Sequence, residues 1–304
     1  VDLLHCTNNT APLRLDVPLV LTLHDVIFLE GATLWPQGGT WYQRLGNVYR
    51  RWVVPPAARR ADAVVTVSDH ERGRIADRLP ALDDRLAVVP NAVSDRFAPV
   101  TDADALRAVR RRYDLPGEFL LFFGNTDPKK NMRRVVAAYA QYAVTAEAPR
   151  PLVVADYDRD RLRDHLRALG HPDLIDRIRL PGYITHDDLP AVYSQATAFL
   201  YPSLRESFGL PILEAMACGT PVLTSTTAAM PEVAGAAALR VDPRDRDALA
   251  KGIRTLDEQP SLRRTLADRG RDRAGAFSWS RTAEELLPLY DEVARTAPAA
   301  APAT

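Results

Sequence analysis

The sequence has few cysteines, no excess of charge of either sign and no long apolar run. Its 304 residues carry 39 lysines and arginines against 39 aspartates and glutamates, so the chain has no net charge. A balanced charge gives no electrostatic reason to expect nucleic acid as a partner. No run of eighteen apolar residues occurs, and the first residues lack the pattern of a signal peptide. We therefore expect a globular protein with no membrane-spanning helix and no nucleic-acid partner.

The two cysteines lie far apart in the sequence. Cys218 falls in an apolar stretch of alanine and methionine, where a buried thiol is the ordinary interpretation. Unpaired thiols favour a reducing compartment, so we expect a cytoplasmic protein. The chain opens at Val1 without an initiator methionine and soon enters a strand-like run, which predicts that its first lobe is incomplete.

The length predicts two lobes, since single cores stop growing near this size. Short apolar runs rich in β-branched residues alternate with amphipathic segments, a pattern typical of helices packed around a parallel sheet. The fold class is therefore α/β, with two Rossmann-like, doubly wound lobes facing across a cleft. The predicted strands are 18–23, 63–67, 86–89, 119–123, 152–155, 177–180, 197–200 and 221–224.

The polar, proline-bearing stretch 94–117 interrupts the strand rhythm and predicts a domain boundary. We expect a first lobe over 1–100, a second over 101–280, and a C-terminal helix with a disordered tail over 281–304. Ser68 with Glu71 predicts a capped helix over 69–79, and Asn131 is the expected cap of a helix through 144.

The segment RESFGLPILEAMACGTPV carries two glutamates, Glu206 and Glu214, separated by seven residues. It follows a predicted strand, and ligands of such sheets bind beyond the carboxyl ends of the strands. Pro211 suits the first turn of a short helix and Gly219 the residue after its end. The amides around Gly209 and the helix start would bind phosphate, and Glu214 would accept hydrogen bonds from a ribose diol.

Three further elements follow predicted strands. Gly124 opens the stretch GNTDPKKN, which delivers Lys129 and Lys130 just before a helix, and lysine there supplies positive charge to a phosphate. His24 follows the first predicted strand, and Tyr183 lies in PGYI after another, where it could face a flat ring. Taken singly, each of these residues is more often structural or solvated. All of them follow predicted strands, and this common position favours a shared site.

These motifs resemble the retaining glycosyltransferases of the GT-B fold, family 4 (glycosyl transferases group 1). The stretch PSLRESFGLPILEAMACGTPV is similar to the family's E-x7-E motif, GNTDPKKN to its G-x-x-x-P-x-K-N stretch, and Pro90–Val93 and Pro231–Gly235 to two shorter motifs. The resemblance runs from about Pro18 to Tyr290. Within the family, the combination of motifs is closest to mannosyl- and rhamnosyltransferases of polysaccharide synthesis.

The resemblance implies a role for each candidate residue and no cofactor or metal. Glu206, Lys130 and His24 would be catalytic: Glu206 would hold the donor sugar, Lys130 would neutralise the diphosphate, and His24 would contact the sugar from the first lobe. Donor binding would involve Glu214 at the ribose and Ile184 near the base. The other expected donor-binding residues are Gly124, Asn125, Lys129, Tyr183, Ser207, Phe208, Gly209 and Leu210. The partners would be a nucleotide sugar, with GDP-mannose favoured, and a hydroxyl-bearing glycan, glycolipid or natural product.

The sequence departs from the family pattern at three positions. Ser207 and Ala92 stand where glycine is usual, and Asn125 stands where many relatives have arginine, which would shift diphosphate charge to Lys129 or Arg133. Together with the incomplete first lobe, these departures keep two alternatives open. One is a catalytically degenerate nucleotide-sugar-binding scaffold, and a weaker one is an epimerase of nucleotide sugars. The oligomeric state is not predicted.

Residues 41–60 combine the aromatic residues Trp41, Tyr42 and Trp52 with five arginines. Such a segment could make weak peripheral contact with anionic lipid at the inner face of a membrane. The other interpretation is a helix whose arginines face water and whose aromatic residues lie in the core. We favour the second, because the apolar positions fit burial.

Overall fold

The computed structural model describes residues 2–12, 14–30 and 41–296, with side chains from residue 45 onward in the last range. The described chain divides into two compact units. The first comprises Val1–Ala92 together with the C-terminal segment from Trp279, and the second comprises Val93–Ser278. The predicted tail 297–304 lies outside the described residues.

The strands, in chain order, are β1 Leu4–Cys6, β2 Leu19–Thr22, β3 Ala63–Thr66, β4 Leu86–Val88, β5 Leu120–Phe123, β6 Leu152–Ala155, β7 Ile178–Arg179, β8 Ala198–Tyr201, β9 Val222–Ser225 and β10 Leu239–Val241. The helices are α1 Trp41–Arg60, α2 Asp69–Arg78, α3 Ala103–Arg112, α4 Met132–Thr145, α5 Arg159–Ala168, α6 Leu189–Gln195, α7 Leu210–Ala217, α8 Met230–Ala234, α9 Arg246–Glu258, α10 Pro260–Gly275 and α11 Trp279–Thr296.

The first unit contains a four-stranded parallel sheet in the order β1-β2-β3-β4. Successive residues of a strand face opposite sides, and the sheet is covered on both. Leu19, Leu21 and Val64 belong to one apolar cluster, while Val20 and Val65 belong to another. The apolar runs that predicted strands therefore reflect burial on both faces of the sheet.

The C-terminal helix α11 packs on this first sheet. Its Val293 is buried in the second of the two apolar clusters. A polar link joins it to the strands, because His5 lies between Tyr290 and Thr22, with Nδ1 2.6 Å from the phenol oxygen and Nε2 2.8 Å from the hydroxyl oxygen. The last helix of the chain thus returns to the unit that contains the first strand.

The second unit contains a six-stranded parallel sheet in the order β10-β9-β8-β5-β6-β7. All eight predicted strands are present, and two further short strands, β1 and β10, were not predicted. The stretches beginning at Gly124, Pro181 and Pro202 follow β5, β7 and β8 of this one sheet. The prediction of two α/β lobes with parallel sheets is confirmed.

Two helix-capping predictions had different outcomes. Ser68 caps α2, and its hydroxyl accepts a hydrogen bond from the amide of Glu71, as predicted. Asn131 precedes α4, but its backbone is left-handed at φ 65° and its side chain makes no capping bond. The prediction of a side-chain cap at Asn131 is wrong, because its side-chain nitrogen donates to two carbonyls elsewhere in the unit and its side-chain oxygen accepts from the Arg134 guanidinium.

The predicted burial of the aromatic residues within 41–60 is also wrong where it can be judged. Trp52 is 78% exposed and Tyr49 is 57% exposed. The helix buries Val54, Ala57 and Ala58 instead. Its apolar residues therefore lie on two faces, of which only one meets the core. Trp41 and Tyr42 have side chains outside the described residues.

Gly252 should be needed for the packing of α9 on the second sheet. A Cβ atom there would lie 2.6 Å from Cδ1 of the buried Leu223 and 3.3 Å from Cγ1 of Val241. Overpacking of this kind should outweigh the gain in helix propensity, so Gly252→Ala should lower the free energy of unfolding by about 1–2 kcal/mol.

The matched control is Gly73→Ala in α2, where no atom lies within 4 Å of the added Cβ. This variant should be neutral or stabilised by about 0.5–1 kcal/mol. The thermal unfolding midpoints of both variants and the wild type check the prediction. An unchanged or higher midpoint for Gly252→Ala would show that the core absorbs the methyl group.

Candidate active site

The loops that follow β5 and β8 are joined, because the two strands are neighbours in the sheet. The amide of Leu204 donates to the Lys129 carbonyl at 2.7 Å, which ties one loop to the other. Gly124 lets the first loop leave the sheet, since a Cβ atom there would lie 2.6 Å from Cγ1 of Val154. The two sequence motifs thus meet at one edge of the sheet.

Lys130 and Glu206 form an ion pair where these loops meet. The Lys130 Nζ atom donates to Glu206 Oε1 at 2.7 Å and to the Tyr201 hydroxyl at 3.0 Å. Both charged side chains are largely buried, at 18% and 12% exposure. Burial of the ring, followed by the charge of Glu206, raises the pKa of Tyr201 well above its usual value. The phenol therefore stays protonated beside the pair.

Asn131 fixes the position of the loop after β8. Its side-chain nitrogen donates to the carbonyls of Pro202 at 3.0 Å and Pro243 at 2.7 Å. The hydroxyl of Ser225, at the end of β9, donates to the Ser203 carbonyl at 2.6 Å. These bonds hold the backbone that precedes Glu206 by buried polar groups, so the scaffold positions the loop that carries the carboxylate.

Asn125 and Lys129 are engaged within their own turn. The Asn125 side chain accepts from the amide of Asp127 at 2.9 Å, and Asp127 accepts from the amide of Lys129 at 3.0 Å. The Lys129 ammonium also lies 3.6 Å from the carboxylate of Asp127. Lys129 therefore has an acidic neighbour within its own loop, whereas Lys130 reaches across to the Glu206 loop.

The predicted short helix is present as α7, with eight residues and with Pro211 in its first turn. Gly209 has φ +107°, a conformation that side chains rarely adopt, and Gly219 has φ +76° after the helix. Within the part of the chain that the structure describes, the amides of Phe208, Gly209 and Leu210 have no hydrogen-bond acceptor. Three such donors at a helix start can bind an anion.

Phe208 is buried and its ring packs against Phe277, with centroids 5.8 Å apart. The Phe208 side chain therefore packs in the core, while its backbone amide lies at the start of α7. Ser207, just before it, is only partly buried. The helix start is thus anchored by the aromatic contact of Phe208.

Glu214 is the fifth residue of α7 and is half-buried. The Tyr193 hydroxyl donates to its Oε2 at 3.1 Å. Burial raises the pKa of Glu214, and the bond from Tyr193 partly opposes this rise. Tyr193 is itself fixed by the rings of Phe123 and Phe199, whose centroids lie 5.5 and 5.3 Å away. The Glu214 carboxylate is therefore partly buried and held by one hydrogen bond from Tyr193.

The loop after β7 places Tyr183 and Ile184 differently. Tyr183 is 73% exposed, so its ring does not pack in the core, while Ile184 is buried. Gly182 has φ +74° and its carbonyl accepts from the amide of Asp156 at 2.9 Å. A hydrogen bond anchors Thr185, the residue after Ile184, because its amide donates to the Tyr113 hydroxyl at 3.1 Å.

His24 belongs to the first unit and lies two residues beyond the end of β2. Its backbone amide donates to the Asn9 side chain at 2.8 Å, and its Nε2 lies 3.1 Å from the Thr7 carbonyl oxygen. Donation to that carbonyl requires a proton on Nε2. A neutral His24 would then have Nδ1 as an acceptor.

Sequence reasoning missed Tyr201 and Tyr193. Each lies near the end of a short apolar segment. The available signal was the hydroxyl group, because a buried phenol usually has a hydrogen-bond partner. Over residues 2–12, 14–30 and 41–296, no cluster of three histidine, cysteine, aspartate or glutamate residues could hold a metal ion.

Two family descriptions match the chain. Residues 109–273 match the family described as "Glycosyl transferases group 1", and residues 1–97 match "Glycosyltransferase Family 4". The first match includes Gly124, Lys130, Glu206 and Glu214. The two matches together divide the chain near the start of the second unit.

A curated relative is the O-antigen chain mannosyltransferase B of Escherichia coli, which is 32% identical over 288 residues, or 94% of this chain and 73% of the relative. Sucrose-phosphate synthase from Thermosynechococcus elongatus has a TM-score of 0.72 at 26% identity, over 92% of this chain and 69% of that one. The Anabaena protein HepE, solved with UDP-glucose, has a TM-score of 0.70 at 19% identity over 90% and 72%. These likenesses confirm the GT-B fold class.

The raised pKa of Glu214 predicts a pH-dependent stability difference. A carboxyl group whose pKa is raised by folding stabilises the protein below its usual value of 4.5, and this contribution is lost as the pH rises through the raised value. Glutamine does not ionise, so Glu214→Gln should unfold at a higher temperature than the wild type at neutral pH. The difference should shrink as the pH falls below 4.5.

Thermal midpoints measured between about pH 4 and pH 8 test this expectation. The control is Glu147→Gln, which replaces an exposed glutamate of the same unit. A midpoint difference for Glu214→Gln that did not vary with pH would mean that folding does not shift the titration of this group.

Proposed function

Because the chain belongs to the family-4 glycosyltransferases, we propose that it transfers a hexose from a nucleotide-diphosphate sugar to a hydroxyl group with retention of configuration. One observation carries the proposal: Lys130 and Glu206 are paired next to the helix start of α7. A cation, a carboxylate and backbone amides without acceptors among the described residues then stand at one sheet edge. This set suits a sugar joined to a diphosphate.

We propose that the diphosphate binds at the start of α7 and beside Lys130. An ammonium group has three N–H donors, so Nζ can keep its bonds to Glu206 and Tyr201 and still donate to a phosphate oxygen. The amides of Phe208, Gly209 and Leu210 would take other oxygens. Glu214 would accept from the ribose diol, with Tyr193 holding its second oxygen. The exposed ring of Tyr183 and Ile184 would adjoin the base.

We propose GDP-mannose as the donor. The support is the name of a relative, the mannosyltransferase of E. coli that is 32% identical over nearly the whole chain. The UDP-glucose bound to HepE shows that a protein of this fold takes a nucleotide sugar. Sugar choice depends on a few groups near Glu206, of which the Ser207 hydroxyl is one that family relatives usually lack.

The proposed chemistry uses charge stabilisation in place of a metal or cofactor. As the bond to the sugar breaks, negative charge grows on the leaving phosphate, and Lys130 with the helix amides would stabilise it. In the retaining mechanism that the family implies, the leaving phosphate takes the proton of the acceptor hydroxyl. Glu206 would hold the sugar hydroxyls, and His24 would contact the sugar from the first unit. The acceptor would be a glycan, a glycolipid or a natural product.

We propose a cytoplasmic location, supported by the free thiols of Cys6 and Cys218. Burial raises the pKa of the Cys218 thiol to about 12, so this group is an inert part of the core. Within the described residues, no helix is both long and apolar enough to cross a membrane.

A panel of nucleotide sugars should separate the proposed activity from its alternatives. A donor present at about 100 times its dissociation constant adds about 2.7 kcal/mol of stability, which a thermal-shift assay detects. GDP-mannose should give the largest shift. Incubation of that donor with glycan acceptors should then yield a glycosidic product. Binding without turnover would favour a scaffold, and an isomerised sugar would favour an epimerase.

Removal of the Lys130 ammonium should slow turnover. Lys130→Ala should lower kcat by about 100- to 1000-fold, as loss of a donor to a developing anion does. The matched control is Lys251→Ala, which removes an exposed lysine on α9 of the same unit. Steady-state kinetics of both variants give the comparison. An unchanged kcat for Lys130→Ala would remove this residue from the mechanism.

A further inference from the structure

The loop after β7 is held on both sides of residues 183–184, which the proposed function places beside the base. Before this segment, the Gly182 carbonyl accepts a hydrogen bond from the amide of Asp156 at 2.9 Å. After it, the amide of Thr185 donates to the Tyr113 hydroxyl at 3.1 Å. The two residues between these anchors therefore have a backbone that the rest of the unit fixes in place.

One carboxylate oxygen is the centre of the second anchor. Asp188 Oδ2 accepts from the Tyr113 hydroxyl at 2.7 Å and from the Thr185 hydroxyl at 2.8 Å. The same oxygen accepts from Nη1 of Arg112, again at 2.7 Å. Burial alone would raise the pKa of Asp188, but the hydrogen bonds from these three side chains outweigh it and lower the pKa below its usual value. The group is therefore ionised at neutral pH, which suits an oxygen that accepts three bonds.

Asp188 stands at the start of α6 but does not cap this helix with its side chain. Its backbone carbonyl accepts from the amide of Val192 at 3.1 Å, which begins the helical hydrogen bonding. An aspartate in this position usually accepts from the amides of the first turn, and that contact stabilises the helix. Here the side chain makes no capping bond. The carboxylate is used to hold the preceding loop instead.

Contacts that do not involve Asp188 already join α3 to α6. Nε of Arg110, on α3, donates to the Gln195 side chain at the end of α6, over 3.0 Å. The amide of Val100, just before α3, donates to the Ser194 hydroxyl at 3.0 Å. Loss of the Asp188 carboxylate should therefore release the loop after β7 while the two helices stay together.

We propose that Asp188 is a positioning residue for the nucleotide base. It orients the Tyr113 hydroxyl, which fixes the Thr185 amide and with it the segment 183–184. The inference rests on the proposed function, because the location of the base is taken from it. Lys130 and the start of α7, where the diphosphate would bind, belong to other loops of the sheet. Asp188 therefore contributes to the affinity for the nucleoside and not to the chemical step.

Thermal-shift titrations of the full chain with GDP, UDP and inorganic pyrophosphate test the proposal. For the nucleoside diphosphate that the wild type binds more tightly, Asp188→Asn should raise the dissociation constant about tenfold. This is the change expected if the loop keeps its binding conformation about a tenth of the time. Pyrophosphate has no base, so its binding should not change. In steady-state kinetics, the KM for the nucleotide sugar should rise while kcat stays the same.

Tyr113→Phe should reproduce the effect of Asp188→Asn, because it removes the hydroxyl that links the carboxylate to the Thr185 amide. The double variant should bind no more weakly than either single variant, since the two groups act through one contact. Amide hydrogen exchange gives a measurement that needs no ligand. The Thr185 amide should exchange faster in both single variants than in the wild type.

Two matched controls come from the same unit. Asp187→Asn removes the neighbouring carboxylate of the same loop, whose side chain is 90% exposed. Gln195→Ala removes a contact between α3 and α6 without touching the loop. Both variants should bind the three ligands like the wild type, even if Gln195→Ala lowers the thermal midpoint, and neither should change the exchange of the Thr185 amide.

Three results would overturn the proposal while leaving the proposed function intact. These are unchanged nucleoside-diphosphate binding by Asp188→Asn, equal weakening of pyrophosphate binding, and an equal effect of Asp187→Asn. The second of these would reflect general damage to the unit. A wild type that binds neither GDP nor UDP would contradict the proposed function itself, and this inference with it.

Discussion

The ion pair between Lys130 and Glu206 is the interaction on which the candidate site depends. It joins two loops that are far apart in sequence and adjacent in the sheet. Taking either charge out of water without its partner would be costly, so each residue stabilises the burial of the other. The pair also keeps this site close to neutral, and in the proposed function its cation and its carboxylate would contact different parts of the ligand. Its geometry therefore serves both folding and the proposed chemistry.

Neutral polar groups hold the charged residues in place. Tyr201 positions the Lys130 ammonium, Tyr193 positions Glu214, and Asn131 fixes the backbone before Glu206. Groups placed before the ligand arrives need little reorganisation, which is the condition for strong electrostatic stabilisation. Glu214, in contrast, lowers the stability of the protein at neutral pH, because burial raises its pKa and makes its ionised form unfavourable in the folded state. A half-buried carboxylate of this kind destabilises the protein at neutral pH, a compromise that the proposed ribose contact would explain.

The sequence predicted the elements whose signals are local. Continuous apolar runs predicted the strands, and Pro211 with Gly219 predicted the ends of α7, because buried strands and helix ends each need particular residues. The side chains that depend on tertiary contacts were not predicted. Asn131 was predicted to cap a helix, but its side-chain nitrogen donates to distant carbonyls. The polar contacts of Tyr193 and Tyr201 were missed because the partner of a hydroxyl group depends on tertiary structure. Trp52 was misjudged because periodicity reveals an apolar face without showing what covers it.

Calorimetric titration of two ligands against the wild type and Glu206→Gln tests the central claim most directly. The ligands are the nucleotide sugar that stabilises the protein most and the matching nucleoside diphosphate, which lacks the sugar. If Glu206 holds the sugar beside a cation that holds the diphosphate, the substitution should weaken nucleotide-sugar binding about tenfold or more. It should leave nucleoside-diphosphate binding unchanged or tighter, because a negative charge beside Lys130 is gone. Equal weakening of both ligands, or no change for the nucleotide sugar, would contradict the account.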